Sequence, residues 1–448
     1  MTETLEAEPG AELEAERRTF FGRVDRDLIR ASRDARKGLG GLGPGLITGV
    51  ADDDPSGIST YTIAGASLGY QLLWTSPLTL PMNIAVQALC ARIGIVTGRG
   101  LASVIAAAYG RRLLYPVVAL LLVANVVNIG ADIGAIAAAI ALLTDLPAGW
   151  LVAPIGIGIA LVEVVVPYPR LARYLKLLTL VIFSYVVGAF FAHPDWPAAL
   201  TATVVPRATA DRETLATIVA ILGTTISPYL FFWQTSEEVE EQEERKIVIS
   251  DLETSQVRRL LRAAHWDVAT GMVMANVGFY FVVLTAAAAL HASGQTDIET
   301  AAQAAAALEP LAGSAASWLF ALGIIGTGLL AIPVLAGSGA YAMAELFGWR
   351  EGLSSTFRQA PQFYGVIAVA TLLGIGMNFS GISEMRALFF AAVVNGVVAP
   401  VLLVAIMIAA RNPAVLGEFV PGRLLLGLGW FTTATMGLAA IAMFVTLR

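Results

Sequence analysis

The chain has 448 residues, 57% hydrophobic and only 14% charged, with a mean hydropathy of +0.73. These values exclude an ordinary soluble domain and point to an all-α polytopic membrane protein. The net charge of -6 sits largely at the N-terminus and in a Glu-rich run from 237 to 244, so it implies neither nucleic acid nor an anionic substrate, and the single cysteine, Cys90, excludes intramolecular disulfides and thiolate metal clusters.

Residues 1–37 are polar, first Glu-rich and then mixed with Arg17, Arg18, Arg23, Arg30, Arg33, Arg36 and Lys37, and contain no apolar core of the kind a cleaved signal needs. They read as a cytoplasmic tail, and residues 38–448 as a transmembrane transporter domain. Eleven apolar runs follow, each near the ~20 residues that cross a hydrocarbon core: approximately 44–67, 71–94, 113–143, 149–167, 171–192, 213–236, 264–291, 314–345, 361–378, 384–410 and 423–447. Only Pro167-Tyr168-Pro169-Arg170 separates the fourth from the fifth. Arg92, Arg99, Arg111 and Arg112 follow span 2, Arg170, Arg173 and Lys176 follow span 4, and Arg245, Lys246, Arg258, Arg259 and Arg262 follow span 6. The positive-inside rule then puts the N-terminus in the cytoplasm and the C-terminus outside. Arg207, Arg212 and Arg386 run against this pattern without reversing it.

Two spans carry a proline beside polar residues at mid-length: Asp52-Asp53-Asp54-Pro55-Ser56-Gly57 in span 1 and Thr224-Thr225-Ile226-Ser227-Pro228-Tyr229 in span 6. Proline lacks the backbone donor and clashes with the preceding turn, so each helix should open there and free carbonyls that hydrocarbon cannot satisfy. Paired interruptions in corresponding helices point to the substrate site of a transporter. Spans 1–5 (about 44–192) and 6–10 (about 213–410) would form a five-plus-five inverted repeat, with 423–447 as an extra helix. The repeat rests on the span count and the two breaks.

The first break offers carboxylates from Asp52, Asp53 and Asp54 and the Ser56 hydroxyl; the second offers the hydroxyls of Thr224, Thr225 and Ser227. His193, His265 and His291 all lie near span ends, so every donor at mid-membrane is oxygen. Such a set suits hard cations such as Mg2+, Ca2+ and Mn2+. An Asp at the bilayer centre costs roughly 2.5 to 3.5 kcal/mol on insertion scales, which argues for a function. Two roles suit Asp54, ion ligand and cap of the half-helix after Pro55, while Asp52 and Asp53 either join the ligands or face a watery vestibule.

Other polar residues are less specific. The acidic run Glu237 to Glu244 reads as a solvated helical extension, Glu163 lies within span 4, and Asn125, Asn128 and Asn276 suit interhelical hydrogen bonding. No Ser-His-Asp set, phosphate loop or Cys/His motif marks an enzyme or a bound cofactor. The partners implied are a divalent ion and the bilayer, with no obligatory protein partner and no nucleic acid.

The stretch from Gly43-Pro44-Gly45 through Asp54-Pro55, then Leu68-Gly69-Tyr70-Gln71-Leu72-Leu73-Trp74 and Ala91-Arg92-Ile93-Gly94-Ile95-Val96-Thr97-Gly98, resembles the Nramp divalent-metal transporter family. That resemblance implies the inverted-repeat fold of sodium-coupled amino-acid symporters. It also implies a metal site, from which this chain departs. The family's Asp-Pro-Gly-Asn reads Asp54-Pro55-Ser56-Gly57, so Gly57 replaces a metal-ligating Asn, and its Met-Pro-His reads Ser227-Pro228-Tyr229. The metal set implied is Asp54, Ser56, Gly57, Thr224, Ser227 and Asp53, with Thr224 matching a family alanine that ligates through its carbonyl. Loss of the methionine sulfur removes a filter against Mg2+, and loss of Asn and Met bulk should widen the pocket for an ion that keeps waters. The helix 6 histidines fall at Tyr229 and Gln234, and of the helix 3 acidic pair Asp132 remains while Ala135 stands for the second. The departures resemble the Nramp-related magnesium transporter branch. They imply import of Mg2+, secondarily Mn2+, by alternating access without proton coupling. Alternatives are a proton-coupled Mn2+/Fe2+ symporter, a sodium-coupled amino-acid carrier, and a non-transporting membrane receptor or scaffold.

Overall fold

The computed structural model describes residues 43–446 except 145, 167, 208–210, 297, 299–300 and 382–383. The N-terminal tail therefore lies outside the described residues, and with it the reading of 1–37. Every regular element among the described residues is helical. The principal ones are α1 (Pro44–Ala51), α2 (Pro55–Leu68), α3 (Thr75–Thr97), α4 (Leu101–Tyr109), α5 (Arg111–Thr144), α6 (Ala148–Val165), α7 (Tyr168–Leu178) and α8 (Phe183–Phe191). They continue with α9 (Arg212–Thr225), α10 (Pro228–Glu244), α11 (Thr254–Ala286), α12 (Ser314–Phe347), α13 (Pro361–Met377), α14 (Glu384–Arg411) and α15 (Arg423–Thr446).

Among the described residues, nine helical segments are long and apolar enough to cross a membrane, α9 and α10 counting together as one. The eleven predicted spans are not matched one for one. The first is divided into α1 and α2, each too short to span alone, and the ninth, α13, has 17 residues. The fifth counts as one continuous segment, Arg170–Phe191, although a 3-10 turn, Thr179–Ile182, separates α7 from α8.

The broken helices sit inside the bundle. Burial reaches 78% of the most apolar window of α12 but only 22% for α6 and 28% for α15, which puts α12 at the centre and the other two at the periphery. All of α1 is buried, packed on α11, α12 and α10, and α2 packs on α11, α9 and α5. Small residues permit this. A Cβ on Gly49 would come 2.1 Å from the carbonyl carbon of Gly271, so the backbones of α1 and α11 touch and neither position tolerates a side chain. Glycines on α5 and α12 also lie at contacts: Gly130 packs on Gly374 of α13, and Gly326 on Val181. Interhelical hydrogen bonds follow the asparagines. Asn125 Nδ2 donates to Leu335 O and Ser338 Oγ, both at 2.9 Å, and Asn276 Oδ1 accepts from Ser76 Oγ at 2.6 Å.

The acidic run departs from its solvated reading. Glu237, Glu238 and Glu240 are buried, and only Glu243 and Glu244 are exposed. The cause is that α10 runs between α3 and α12 instead of leaving the bundle. Tyr341 Oη donates to Glu237 at 3.3 Å, Gln234 Nε2 to Glu238 at 2.9 Å, and Ser354 N to Glu240 at 3.3 Å.

Candidate ion site at the two helix breaks

Helix α1 stops at Ala51 and α2 starts at Pro55; α9 stops at Thr225 and α10 starts at Pro228. In a helix the carbonyl of residue i accepts from the N–H of residue i+4. Here that residue is Pro55 for Ala51 and Pro228 for Thr224, so each proline leaves one carbonyl without its normal donor. Hydroxyls take the place of both donors. Tyr229 Oη donates to Ala51 O at 2.9 Å across the two breaks, and Ser227 Oγ donates to Thr224 O at 2.8 Å within the second.

Asp54 is the N-cap of α2. Its Oδ1 accepts from Gly57 N and from Ser56 Oγ, both at 2.6 Å, satisfying one of the donors that every helix start leaves open. The helix N-terminus and the carboxylate also stabilise one another electrostatically. Gly57 lies against the second break: a Cβ there would be 3.3 Å from both Thr224 Oγ1 and Asp54 Oδ1. The space beside Gly57 is thus bordered by Thr224 and Asp54.

The other two carboxylates diverge. Asp52 Oδ2 accepts from Asn83 Nδ2 of α3 at 3.3 Å. Asp53, 1% exposed, turns to α11, where a Cβ on Gly278 would meet its Oδ2 at 2.3 Å, and neither of its oxygens has a hydrogen-bond donor among the described residues. No group of three or more His, Cys, Asp or Glu among the described residues could hold a metal. Of the six residues implied, Asp54, Ser56, Gly57, Thr224 and Ser227 come together, and Asp53 stands aside. Thr225 turns its hydroxyl back onto Ile221 O.

Exposure differs between the elements around the breaks. Ser56, Thr60, Ile63 and Ser67 form a partly exposed stripe along α2, and Thr217, Ala220 and Thr224 form another along α9. The stripes meet where Thr224 faces Gly57, whereas α1 is wholly buried. Its N-terminus is held by Asp267 of α11, whose Oδ1 accepts from Gly43 N at 2.8 Å and Oδ2 from Gly45 N at 2.7 Å. Glu345 of α12 likewise accepts from Ser103 N at 2.8 Å and Ser236 Oγ at 3.0 Å, joining α4 to α10. Asp132 and Ala135 are buried on α5.

Sequence reasoning missed three of these contacts. The Tyr229 to Ala51 bond has a partial signal, because a proline four residues on identifies the orphaned carbonyl, though not its donor. The Asp267 and Glu345 bonds join residues 222 and 242 positions apart, and no local pattern marks them.

Residues 45–446 match the family described as natural resistance-associated macrophage protein-like, or Nramp. Over 419 residues the chain is 29% identical to the divalent metal cation transporter MntH of Klebsiella pneumoniae subsp. pneumoniae, covering 92% of this chain and 95% of the relative. Among solved structures, the Eremococcus coleocola manganese transporter in complex with an aromatic bis-isothiourea substituted compound superposes with a TM-score of 0.71 at 20% identity, covering 89% of this chain and 84% of its own. The nucleobase-cation-symport-1 family transporter Mhp1, in a closed conformation with bromovinylhydantoin bound, gives 0.57 at 14% identity, with 90% and 92% covered. These likenesses show that the chain shares the fold of those two structures.

Proposed function

The chain belongs to the Nramp family, and from that premise we propose that it carries divalent metal ions across a membrane, with Mg2+ as its main substrate, Mn2+ as a secondary one, and no coupled proton. The observation that carries this reading is the chemistry of the breaks: Asp54, Ser56, Thr224 and Ser227 converge with oxygen donors only, and Gly57, Ser227 and Tyr229 stand where the family resemblance implies Asn, Met and His. Hard oxygen donors suit Mg2+, and sulfur that would discriminate for softer ions is absent from these positions.

In this reading Asp54 supplies the charge through Oδ2, since Oδ1 serves the helix cap. Ser56, Thr224 and Ser227 offer hydroxyl oxygens to the ion or to its waters, and Gly57 leaves room for that hydration. Asp52 and Asp53 add negative potential without touching the ion. The relatives named for manganese and the retention of Asp132 favour a second reading, a proton-coupled Mn2+/Fe2+ symporter. The absence of histidine from the second break weighs against it.

We further assign α1–α8 and α9–α14 as the two inverted repeats, α15 as the extra helix, and a cell-membrane location with the N-terminus in the cytoplasm. The test of the site is Mg2+ binding by calorimetry to wild type and Asp54→Asn. Binding lost in a folded Asp54→Asn supports the assignment, and unchanged binding refutes it.

A further inference from the structure

We infer that Tyr229 is a specificity-determining residue: by holding the Ala51 carbonyl, its hydroxyl keeps that oxygen out of the inner coordination sphere and biases the site toward an ion that keeps its waters. The inference rests on the ion site proposed above and deepens it.

The argument begins with the two prolines. At each break a proline takes the helical donor from one carbonyl, Ala51 O before Pro55 and Thr224 O before Pro228. Buried carbonyls without donors are costly, and in an ion site they are satisfied in one of two ways, by a hydrogen bond or by the ion itself. Here both have a hydroxyl proton. The two bonds differ in kind. Ser227 reaches back three residues within its own break, as any hydroxyl at that position can. Tyr229 belongs to α10 and reaches the first break, 178 positions away in sequence. It therefore fixes the direction of the Ala51 carbonyl and the distance between the breaks together.

The ring is 1% exposed, and the bond length of 2.9 Å is that of a well-formed hydrogen bond. A carbonyl oxygen has two lone pairs, so the bond does not remove its basicity. It takes one pair and ties the other to a fixed direction. An ion that required this oxygen from any direction other than the one left free would have to draw the carbonyl off a buried hydroxyl and leave that hydroxyl without an acceptor. Mg2+ dehydrates reluctantly and commonly binds through one or two carboxylates with waters completing its octahedron, so it needs this oxygen least. Mn2+, which gives up water more readily, gains most if the carbonyl is released. Tyr229 thus acts on the ion through a backbone group and is a positioning residue.

The experiment compares Mn2+ and Mg2+ affinities of the full-length wild type and Tyr229→Phe in detergent, with chloride salts as probes. Phe keeps the ring and removes only the donor. The expected result is a three- to tenfold shift of the affinity ratio toward Mn2+, about the equilibrium scale of one hydrogen bond. A loss of packing alone would weaken both ions together and leave the ratio unmoved, which overturns the inference. If Tyr229→Phe does not fold, Tyr229→Leu gives the same readout, because it also lacks the hydroxyl. If the wild type binds Mn2+ but no Mg2+, the magnesium reading fails separately. The Mn2+ affinity then decides for Tyr229: a rise in the variant supports its role, and no change refutes it.

Discussion

Asp54 divides its work between its two oxygens. Oδ1 accepts from Ser56 Oγ and Gly57 N, so the residue caps a helix without any ion. The cap and the charge can be separated by mutation. Asp54→Asn retains an acceptor at the cap and loses the charge, whereas Asp54→Ala loses both. We predict that both variants lose Mg2+ transport, and that Ala alone lowers stability, by about 0.5 to 2 kcal/mol, the usual cost of an N-cap. Thermal unfolding in detergent beside a flux assay checks this; an active Asn variant would show that the charge is not needed. At this scale the two helix breaks and the polar residues beside them were legible, because carboxylates, hydroxyls and prolines in mid-membrane are rare and each has a physical reason. What sequence could not give was direction. Asp52, Asp53 and Asp54 are neighbours in the chain, and the unwound backbone between α1 and α2 turns one to Asn83, one to Gly278 and one to the cap of α2.

Among elements, α1 is the part whose packing leaves least slack. Gly49 meets the Gly271 backbone, which cannot rotate away as a side chain can. We predict that Gly49→Ala costs about 1 to 3 kcal/mol, the range of overpacked sites, and abolishes transport by forcing α1 off α11. The melting temperature and flux of that variant are the check. The Asp267 bonds hold the same helix from its N-terminus. Asp267→Ala should therefore speed alkylation of a cysteine placed at Leu46 in a Cys90→Ser background, and an unchanged rate would mean that packing alone keeps α1 closed. The acidic run shows why element-level reading failed in one place. Six glutamates in eight positions look solvated, and only the descent of α10 between α3 and α12 reveals that half the run is buried.

One consequence of that packing lies in the loop after α12. Burial, then the neighbouring Glu345, Glu240 and Glu243 carboxylates, push Glu351 up to about 9 from its ordinary 4.5. The folded protein thus keeps a proton that the unfolded chain gives up above 4.5. Its stabilising contribution is complete below that value and is lost as pH rises toward about 9. We predict that the melting temperature falls across this window and that Glu351→Gln makes it less pH-dependent; equal slopes for the two proteins would contradict the assignment.

For the whole molecule, the central question is what drives transport. A membrane potential of about 100 mV, inside negative, contributes roughly 2.3 kcal/mol per charge, hence about 4.6 kcal/mol for a divalent ion, a gradient on the thousandfold scale. The proposed uptake of Mg2+ would therefore need no coupled proton. The second break has Tyr229 and Gln234 where the family resemblance implies histidines, and α5 has Ala135 where it implies a second carboxylate, leaving Asp132 as the retained member of that pair. The measurement that tests this most directly is flux into proteoliposomes at a set potential, read by an internal Mg2+ dye and an internal pH dye together. The account predicts Mg2+ entry that follows the potential, without acidification, and that Asp54→Asn abolishes. No Mg2+ entry, with Mn2+ uptake accompanied by protons, would contradict it.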